Sequence, residues 1–311
     1  MNDNEIVIVT AFFDIDRKNF NNLNQKRSNK KYFDYFKFWS KIQNTLIIYC
    51  DPENVDIIKQ IRGTNLLDKT IVIPINIEKI EPQLLDKMKN VEQDKRFQEL
   101  RHHKNDISNT ALYNYIMLLK WWCVQDASER LQYDCAIAWI DFGFNHGDSF
   151  YLDSNDFNFL WQYNYPEEKL NAFCLNDPSK VSLLDSLIYQ FDCFTGTFVI
   201  PSNRAFEFWT YIKDAMSSLV DIGCIDDDQF LMLMVYKKHP EIFNIQISNW
   251  FDIFRLNSNK EFKTRTSPTP TLLTRIKNKL YRTIKIIKNF FIKSAFVKLI
   301  EKIEIEHFDY Q

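Results

Sequence analysis

Glycine is scarce in this sequence, which has 5 glycines among 311 residues. Neither G-x-G-x-x-G nor G-x-x-x-x-G-K-[ST] occurs in it, so it lacks the glycine-rich loops with which dinucleotide-binding and P-loop proteins hold phosphate groups. No apolar run reaches the ~18 residues of a membrane-spanning helix, and we predict no such helix. The first residues, MNDNEIVIVT, carry acids where a secretory signal peptide needs basic side chains, so we expect no such signal.

Cysteine pairs and a basic surface are missing as well. The six cysteines form no C-x-x-C motif and lie mostly within apolar segments. This pattern favours reduced core residues of a cytoplasmic protein over a zinc site or a disulfide framework. The formal charge is −2, and acids outnumber bases outside the C-terminal tail. Because nucleic-acid binding usually needs a basic stripe across the fold, we predict no nucleic-acid partner.

Short apolar runs and helix-like segments alternate in the first part of the chain, which is 45% hydrophobic overall. Residues 5–13, 45–50 and 70–75 are apolar and rich in β-branched side chains, and they predict strands. Pro52 suits the first turn of a helix at residues 53–61. Strand, helix and strand in this order are typical of parallel strands joined by right-handed crossovers. We therefore predict an α/β fold with a mostly parallel sheet flanked by helices.

A buried strand followed by a polar turn is predicted at residues 136–148, AIAWIDFGFNHGD. The apolar run ends at Asp141. Ligands of open α/β sheets bind beyond the carboxyl ends of the strands, so a carboxylate here could contact a metal or a phosphate-bearing ligand. Gly143 would let the backbone approach that ligand closely. An ordinary strand-end turn, in which Asp-x-Gly is common, is the alternative.

The strongest helix signal lies at residues 108–127, SNTALYNYIMLLKWWCVQDA, where apolar side chains recur every three or four residues. Lys120 stands inside this apolar pattern. Its alkyl chain could lie along apolar surface with the ammonium group in water. Alternatively, the ammonium group could point toward the site beyond Asp141.

Further elements are predicted in the second half of the chain. Residues 153–163 predict a short helix, residues 171–175 a strand, and residues 203–219 an amphipathic helix. Residues 191–201, FDCFTGTFVIP, predict a strand, a turn and a second strand, with Gly196 at the pivot.

Three consecutive acids, Asp226, Asp227 and Asp228, precede a predicted helix rich in leucine and methionine. Acids at a helix N-terminus are stabilised by the helix dipole, so a capping cluster is one interpretation. Three acids followed by Gln229 exceed what a cap needs, and they favour hydroxyl recognition or a catalytic base.

The C-terminal tail has a different composition. Residues 264–271, TRTSPTPT, predict a linker. Residues 272–300 hold eight Lys or Arg residues and no acid, with apolar residues on one helical face. This pattern suits a helix on an anionic membrane surface, and a helix packed on its own domain or on a partner is the alternative. We predict a globular domain over residues 1–263, the linker, and a basic amphipathic helical tail over residues 272–311.

Five segments resemble, in order, those of GT-A-type glycosyltransferases: TAFFDI, NTALYNYIMLLKWWCVQDA, WIDFGF, FTGTFVI and DDDQFLMLMVYKKHPEIF. Over roughly residues 5–255 the chain is similar to the HtrL/YibB-like family, which is associated with lipopolysaccharide and capsule loci. The resemblance implies a GT-A-like, Rossmann-type sheet of mixed, mostly parallel strands. It also implies that residues 1–263 bind a nucleotide-diphosphate sugar.

The end of the first strand is where the resemblance places the nucleotide. Thr10, Phe12 and Asp14 would contact it there. Residues 17–31 are polar and basic, and Arg17 could reach the phosphates. A solvated surface is the alternative for such a charged loop.

A divalent cation, Mn²⁺ or Mg²⁺, is implied on the diphosphate, and Asp141 would hold it. The GT-A metal motif is normally Asp-x-Asp, whereas the third position here is Gly143. A second ligand would come from His146, Asp148 or elsewhere. Both ions favour oxygen ligands, some of which the diphosphate supplies.

The acceptor would lie near Gly196, and Asp227 and Asp228 would face the sugar or the acceptor. We predict transfer of a hexose to an oligosaccharide or lipid-linked acceptor. Asp227 or Asp228 would act as general base if the anomeric carbon is inverted. Lysine and arginine side chains, Lys120 among the candidates, would stabilise charge on the departing diphosphate.

The predicted setting is surface polysaccharide synthesis on the inner face of the cytoplasmic membrane, with the tail on anionic lipid. The alternative is a non-catalytic, membrane-associated assembly protein with a degenerate GT-A fold. Gly143 in place of the second acid favours that alternative, whereas Asp141 together with the acids at 226–228 favours the enzyme.

Overall fold

The computed structural model describes residues 6–15, 28–100, 109–131, 133–146, 150–166, 168–189 and 192–265. Strands in this part of the chain form one seven-stranded sheet. They are β1 (Ile6–Phe12), β2 (Leu46–Cys50), β3 (Thr70–Pro74), β4 (Ala136–Trp139), β5 (Leu170–Cys174), β6 (Phe194–Pro201) and β7 (Phe243–Ile247).

The strand order is β3-β2-β1-β4-β6-β5-β7. Strand β6 runs antiparallel to both of its neighbours, and every other adjacent pair is parallel. The carboxyl ends of β1 and β4 therefore lie side by side at one edge of the sheet. This placement decides where polar side chains that follow those strands can meet.

Helices cover both faces of the sheet. One face carries α3 (Pro82–Gln93), α4 (Lys95–Leu100), α5 (Ala111–Leu131), α6 (Leu183–Tyr189), α7 (Ala205–Asp221) and α8 (Asp228–Lys238). The other face carries α1 (Asn29–Trp39), α2 (Val55–Arg62) and α9 (Ile253–Leu256). The predicted fold class, a mixed and mostly parallel sheet flanked by helices, is confirmed.

The alternation of side chains along β1 explains the two cores. Val7 and Val9 pack under α5, whereas Ile6 and Ile8 pack on the opposite face with Phe36 of α1. All of them are buried, because β1 is a central strand with a helix on each side. The near-continuous apolar run at the start of the sequence follows from this position.

Most of the predicted elements are confirmed within a few residues, but the helix predicted at residues 153–163 is wrong. Only Ser154–Phe157 forms a short 3-10 turn. Beyond it, the Asn44 side chain forms hydrogen bonds with both backbone groups of Trp161. Its Nδ2 donates to the carbonyl oxygen at 2.8 Å, and its Oδ1 accepts from the amide at 2.7 Å. A side chain distant in sequence thus replaces the hydrogen bonds that a helix would make.

The strand–turn–strand interpretation of residues 191–201 is also wrong. A single strand, β6, starts at Phe194 and contains Gly196. Gly196 has φ of +73°, and in the same stretch the register between β5 and β6 shifts between Ala172 and Cys174. The glycine therefore accommodates an irregularity within one strand and does not reverse the chain. The sequence analysis missed β7 and α9 entirely.

The chain divides into a compact unit, Met1–Arg265, and a second unit, Thr266–Gln311. The predicted tail and nearly all of the predicted linker lie outside the described residues, so the helix and the membrane contact proposed there stay predictions. Among the helices that the structure describes, none is both long and apolar enough to span a bilayer.

Candidate active site

A cavity of about 410 Å³ opens at the carboxyl ends of β1 and β4. Its size is within the range typical of small-molecule sites. Nine of the residues singled out from the sequence line it: Phe12, Asp14, Lys120, Asp141, Gly143, His146, Gly196, Asp228 and Gln229.

The floor of the cavity holds a cluster of Asp141, Lys120 and Asp228, which we call the Asp–Lys–Asp cluster. The Lys120 ammonium lies 3.0 Å from Asp141 Oδ1 and 2.9 Å from Asp228 Oδ2. Side chains of Lys120 and Asp228 are each only 4% exposed, whereas that of Asp141 is 48% exposed. The cluster is therefore buried on the protein side and presents the Asp141 carboxylate to the cavity.

Each member of the cluster comes from a different element. Lys120 belongs to α5, which is fixed against the sheet because the next residue, Trp121, stacks on Phe198 of β6 with ring centroids 3.9 Å apart. Asp141 follows β4, and the indole of Trp139 donates to its Oδ1 at 2.8 Å. Asp228 is the first residue of α8.

Gly196 of β6 completes the floor. A Cβ atom at this position would lie 3.3 Å from Asp228 Oδ2, 3.5 Å from Lys120 Nζ and 3.8 Å from Asp141 Oδ2. A side chain would therefore touch all three members of the cluster. The positive φ of this residue also favours glycine.

Burial and charge act in opposite directions on the ionisable groups of the cluster. Burial disfavours the ammonium form of Lys120, but the carboxylates of Asp141 and Asp228 outweigh this effect and raise its pKa above the ordinary value. Burial is also the main influence on Asp228, and it raises the pKa of that carboxyl to about 7 although Lys120 acts in the opposite sense. The cluster thus pairs a permanent cation with a carboxyl group that titrates near neutrality.

The three consecutive acids have separate surroundings. Asp226 Oδ1 accepts from the Asp227 amide at 2.9 Å. Asp227 is the N-cap of α8, and its Oδ1 accepts from the Gln229 amide at 3.1 Å. Only Asp228 points into the Asp–Lys–Asp cluster. The capping interpretation therefore describes the geometry of Asp227, which does not line the cavity.

Of the residues implied for nucleotide binding, two line the cavity and the others do not or lie outside the described residues. Phe12 stacks on Phe142 with ring centroids 5.0 Å apart, and Asp14 Oδ2 accepts from Asn29 Nδ2 at 2.6 Å. Both Phe12 and Asp14 line the cavity. Thr10 is fully buried within β1 and is not part of the cavity wall. Arg17 lies outside the described residues.

Asp51, which the sequence analysis did not single out, does not line the cavity but supports Asp14, which does. Its Oδ2 accepts from the Asp14 amide at 2.9 Å. Asp51 directly follows β2, just as Asp141 follows β4. The rule that ligands bind beyond the carboxyl ends of parallel strands could have found it.

The described residues do not by themselves form a divalent-cation site. No group of three His, Cys, Asp or Glu side chains in this part of the chain could hold a metal. The His146 ring packs against Phe251, with centroids 5.1 Å apart. At Gly143 a Cβ atom would lie 3.1 Å from Cε1 of Tyr32, so the ring of Tyr32 crowds the position of the second acid. Asp148, the other predicted ligand, lies outside the described residues.

The family match agrees with the resemblance to the HtrL/YibB-like family. Residues 4–259 match the model of a family described as a bacterial protein of unknown function, HtrL_YibB. Protein HtrL of Escherichia coli (strain K12) is 27% identical over 265 residues, which cover 80% of this chain and 90% of that protein. The apo crystal structure of mouse xyloside xylosyltransferase 1 is 12% identical, with a TM-score of 0.41 over 78% of this chain and 84% of the mouse chain. Because the family model spans most of its length, the chain belongs to the HtrL/YibB family.

Proposed function

We propose that this protein is a glycosyltransferase that moves a sugar from a nucleotide-diphosphate donor to an oligosaccharide or lipid-linked acceptor. The observation that carries the proposal is the convergence of Asp141, Lys120, Asp228 and Gly196 on the floor of one cavity at the carboxyl ends of β1 and β4. A buried carboxyl group with a pKa near the working pH, beside a fixed cation, is an arrangement suited to proton transfer during group transfer.

Asp228 is the proposed general base. The acceptor hydroxyl oxygen attacks the anomeric carbon of the donor sugar, and its proton passes to the Asp228 carboxylate. The bond between the anomeric carbon and the diphosphate breaks, and its electron pair leaves with the diphosphate. A carboxyl pKa of about 7 leaves a large share of Asp228 deprotonated at neutral pH while keeping it basic enough to accept the proton. The proposal therefore assigns Asp227 to the helix cap and not to proton transfer.

Binding groups for the donor lie on either side of this centre. We assign Phe12 and Asp14, at the end of β1, to the nucleoside. Gln229 lines the cavity, and its Oε1 atom is buried without a hydrogen-bond partner among the described residues. Since buried polar atoms are normally hydrogen-bonded, a sugar hydroxyl is a suitable donor for this oxygen. The Asp141 carboxylate, half exposed to the cavity, would contact the same ligand.

The biological setting that we propose rests on the family resemblance and on the sequence of the tail. We propose a role in lipopolysaccharide or capsule synthesis, with the protein in the cytoplasm and its basic tail on the anionic inner face of the membrane. The tail would bring the site to a lipid-linked acceptor. Eight basic residues without an acid over residues 272–300 support this assignment.

A non-catalytic assembly role is the second candidate, because Tyr32 crowds the position where the second acid of Asp-x-Asp would lie. A panel of UDP-, GDP-, CMP- and dTDP-sugars separates the two functions. A glycosyltransferase should gain thermal stability with one nucleotide class and slowly hydrolyse that donor. If no member of the panel raises the melting temperature or is hydrolysed, the enzyme proposal is wrong and the assembly role is favoured.

A further inference from the structure

A cation already lies between the two carboxylates of the cavity floor. Lys120 Nζ is 3.0 Å from an oxygen of Asp141 and 2.9 Å from an oxygen of Asp228. These oxygens come from different elements, one after β4 and one at the start of α8, and they converge on a single positive group. Hard divalent cations are bound by carboxylate oxygens that converge in this manner. In this chain the Lys120 ammonium group forms ion pairs with both carboxylates.

The position of the missing second acid is also crowded. Tyr32 Cε1 and Cδ1 lie 3.1 and 3.3 Å from where a Cβ atom at Gly143 would be. The Tyr32 ring is itself packed between Phe12 and Tyr35, with centroids 5.5 and 6.1 Å away. A carboxylate at position 143 would therefore require the ring to move. Two separate side chains thus stand against a metal site here. Lys120 on α5 lies where the two carboxylates converge, and Tyr32 on α1 crowds the position of the second acid.

We propose that Lys120 is the resident cation of this cavity and that donor binding here needs no divalent metal. The inference deepens the proposed function, on which it rests. With both carboxylates ionised, the Asp–Lys–Asp cluster carries one net negative charge, and without the ammonium it would carry two. The fixed ammonium group therefore offsets one carboxylate charge before the donor arrives, and it lowers the repulsion that a diphosphate would meet here without any metal exchange.

The same geometry predicts what removal of the ammonium would do. Lys120→Met keeps an unbranched apolar side chain that ends one atom short of the ammonium nitrogen, and it leaves Asp141 and Asp228 facing a vacated cation position. Breaking one partner out of a buried ion pair is strongly destabilising, because the remaining charges are uncompensated. A divalent ion would restore the balance. The variant should therefore acquire a metal requirement that the wild-type protein lacks.

The experiment compares melting temperatures of wild-type protein, Lys120→Met and Lys213→Met, each with EDTA, MgCl₂ or MnCl₂. Lys213 is a matched control, because it pairs with Glu81 at 2.6 Å and does not line the cavity. Lys120→Met should melt lower in EDTA and recover by several degrees in MnCl₂, since a ligand that binds only the folded state stabilises it. Wild-type protein and Lys213→Met should not respond. A Lys120→Met protein that ignores both metals would overturn the inference.

A second measurement uses wild-type protein only and decides the question if Lys120→Met does not fold. The nucleotide sugar that stabilises the protein in the panel should bind equally well in EDTA and in MnCl₂. Binding that is lost in EDTA and restored by MnCl₂ would overturn the inference while leaving the glycosyltransferase proposal intact. If no nucleotide sugar binds, the proposed function fails, and the metal response of Lys120→Met still reports on the Asp–Lys–Asp cluster.

Discussion

Replacing Gly196 by alanine should disturb the Asp–Lys–Asp cluster, and two other glycines provide the controls. Gly196, Gly63 and Gly223 have φ angles of +73°, +78° and +75°. Alanine is disfavoured at positive φ, by about 1–2 kcal/mol in the left-handed region. Gly63 has a ψ of 159°, which places it in a region essentially restricted to glycine, so Gly223→Ala is the control for stability and Gly63→Ala is a control for donor binding only.

The surroundings of the added methyl group differ between these sites. At Gly63 and Gly223 nothing lies within 4 Å of the new Cβ atom. At Gly196 it would lie 3.3 Å from Asp228 Oδ2 and 3.5 Å from Lys120 Nζ. Overpacking of a well-filled interior typically costs a further ~1–3 kcal/mol. We expect Gly196→Ala to lose this additional free energy of unfolding relative to Gly223→Ala.

Urea denaturation followed by tryptophan fluorescence measures the three free energies of unfolding under one set of conditions. Nucleotide-sugar binding, measured on the same preparations, should be weakened in Gly196→Ala and retained in Gly63→Ala and Gly223→Ala. The reasoning is refuted if Gly196→Ala is as stable as Gly223→Ala and binds the donor as wild-type protein does. In that case the close approach of β6 to the cluster would have no energetic consequence.

Three further predictions concern the site and the tail. Asp228 has a folded-state pKa of about 7, above the ~4 of an unfolded aspartate, so the folded protein binds the extra proton and stability should fall as pH rises from about 4 to about 7. Urea denaturation across this pH range should show that the free energy of unfolding depends less steeply on pH in Asp228→Asn than in wild-type protein, and an unchanged pH dependence contradicts the assignment. Turnover of wild-type protein should rise toward pH 7. Asp141→Ala should abolish sugar transfer with little change in the circular dichroism spectrum, and near wild-type transfer would contradict its role. Deleting residues 271–311 should release the protein from anionic liposomes at low salt, since each basic residue contributes about 1 kcal/mol there, and wild-type protein that ignores such liposomes would contradict the membrane assignment.

Local patterns were sufficient to predict the elements that carry the site. The three- and four-residue spacing of apolar side chains located α5, and β-branched runs located β1, β2 and β4. These signals are local, because helix and strand periodicities appear within a single segment. The helix predicted at 153–163 failed for the opposite reason. Its backbone is held by the Asn44 side chain, 117 residues away from Trp161, and no local pattern reports such a contact.

The candidate residues were predictable, but their pairing was not. Lys120 and Asp228 are separated by 108 residues. The strand-end rule selected Asp141, and an excess of acids selected residues 226–228. Which of the three acids turns inward depends on where α8 begins. The helix dipole favours an acid at each of these positions and cannot distinguish the cap, Asp227, from Asp228.

Lys120 shows how burial resolves what sequence left open. A lysine whose alkyl chain lies along apolar surface keeps its ammonium group in water, but this side chain is only 4% exposed. A buried charge must be paired, and Lys120 is paired twice. Lys120 and Asp228 are also structural, since both side chains are buried and Lys120 is the cation that compensates the buried Asp228 carboxylate. Asp141 is half exposed, and Lys120 keeps Asp228 as a partner when Asp141 is removed. Asp141 is therefore the member of the cluster whose substitution best separates a loss of chemistry from a loss of folding.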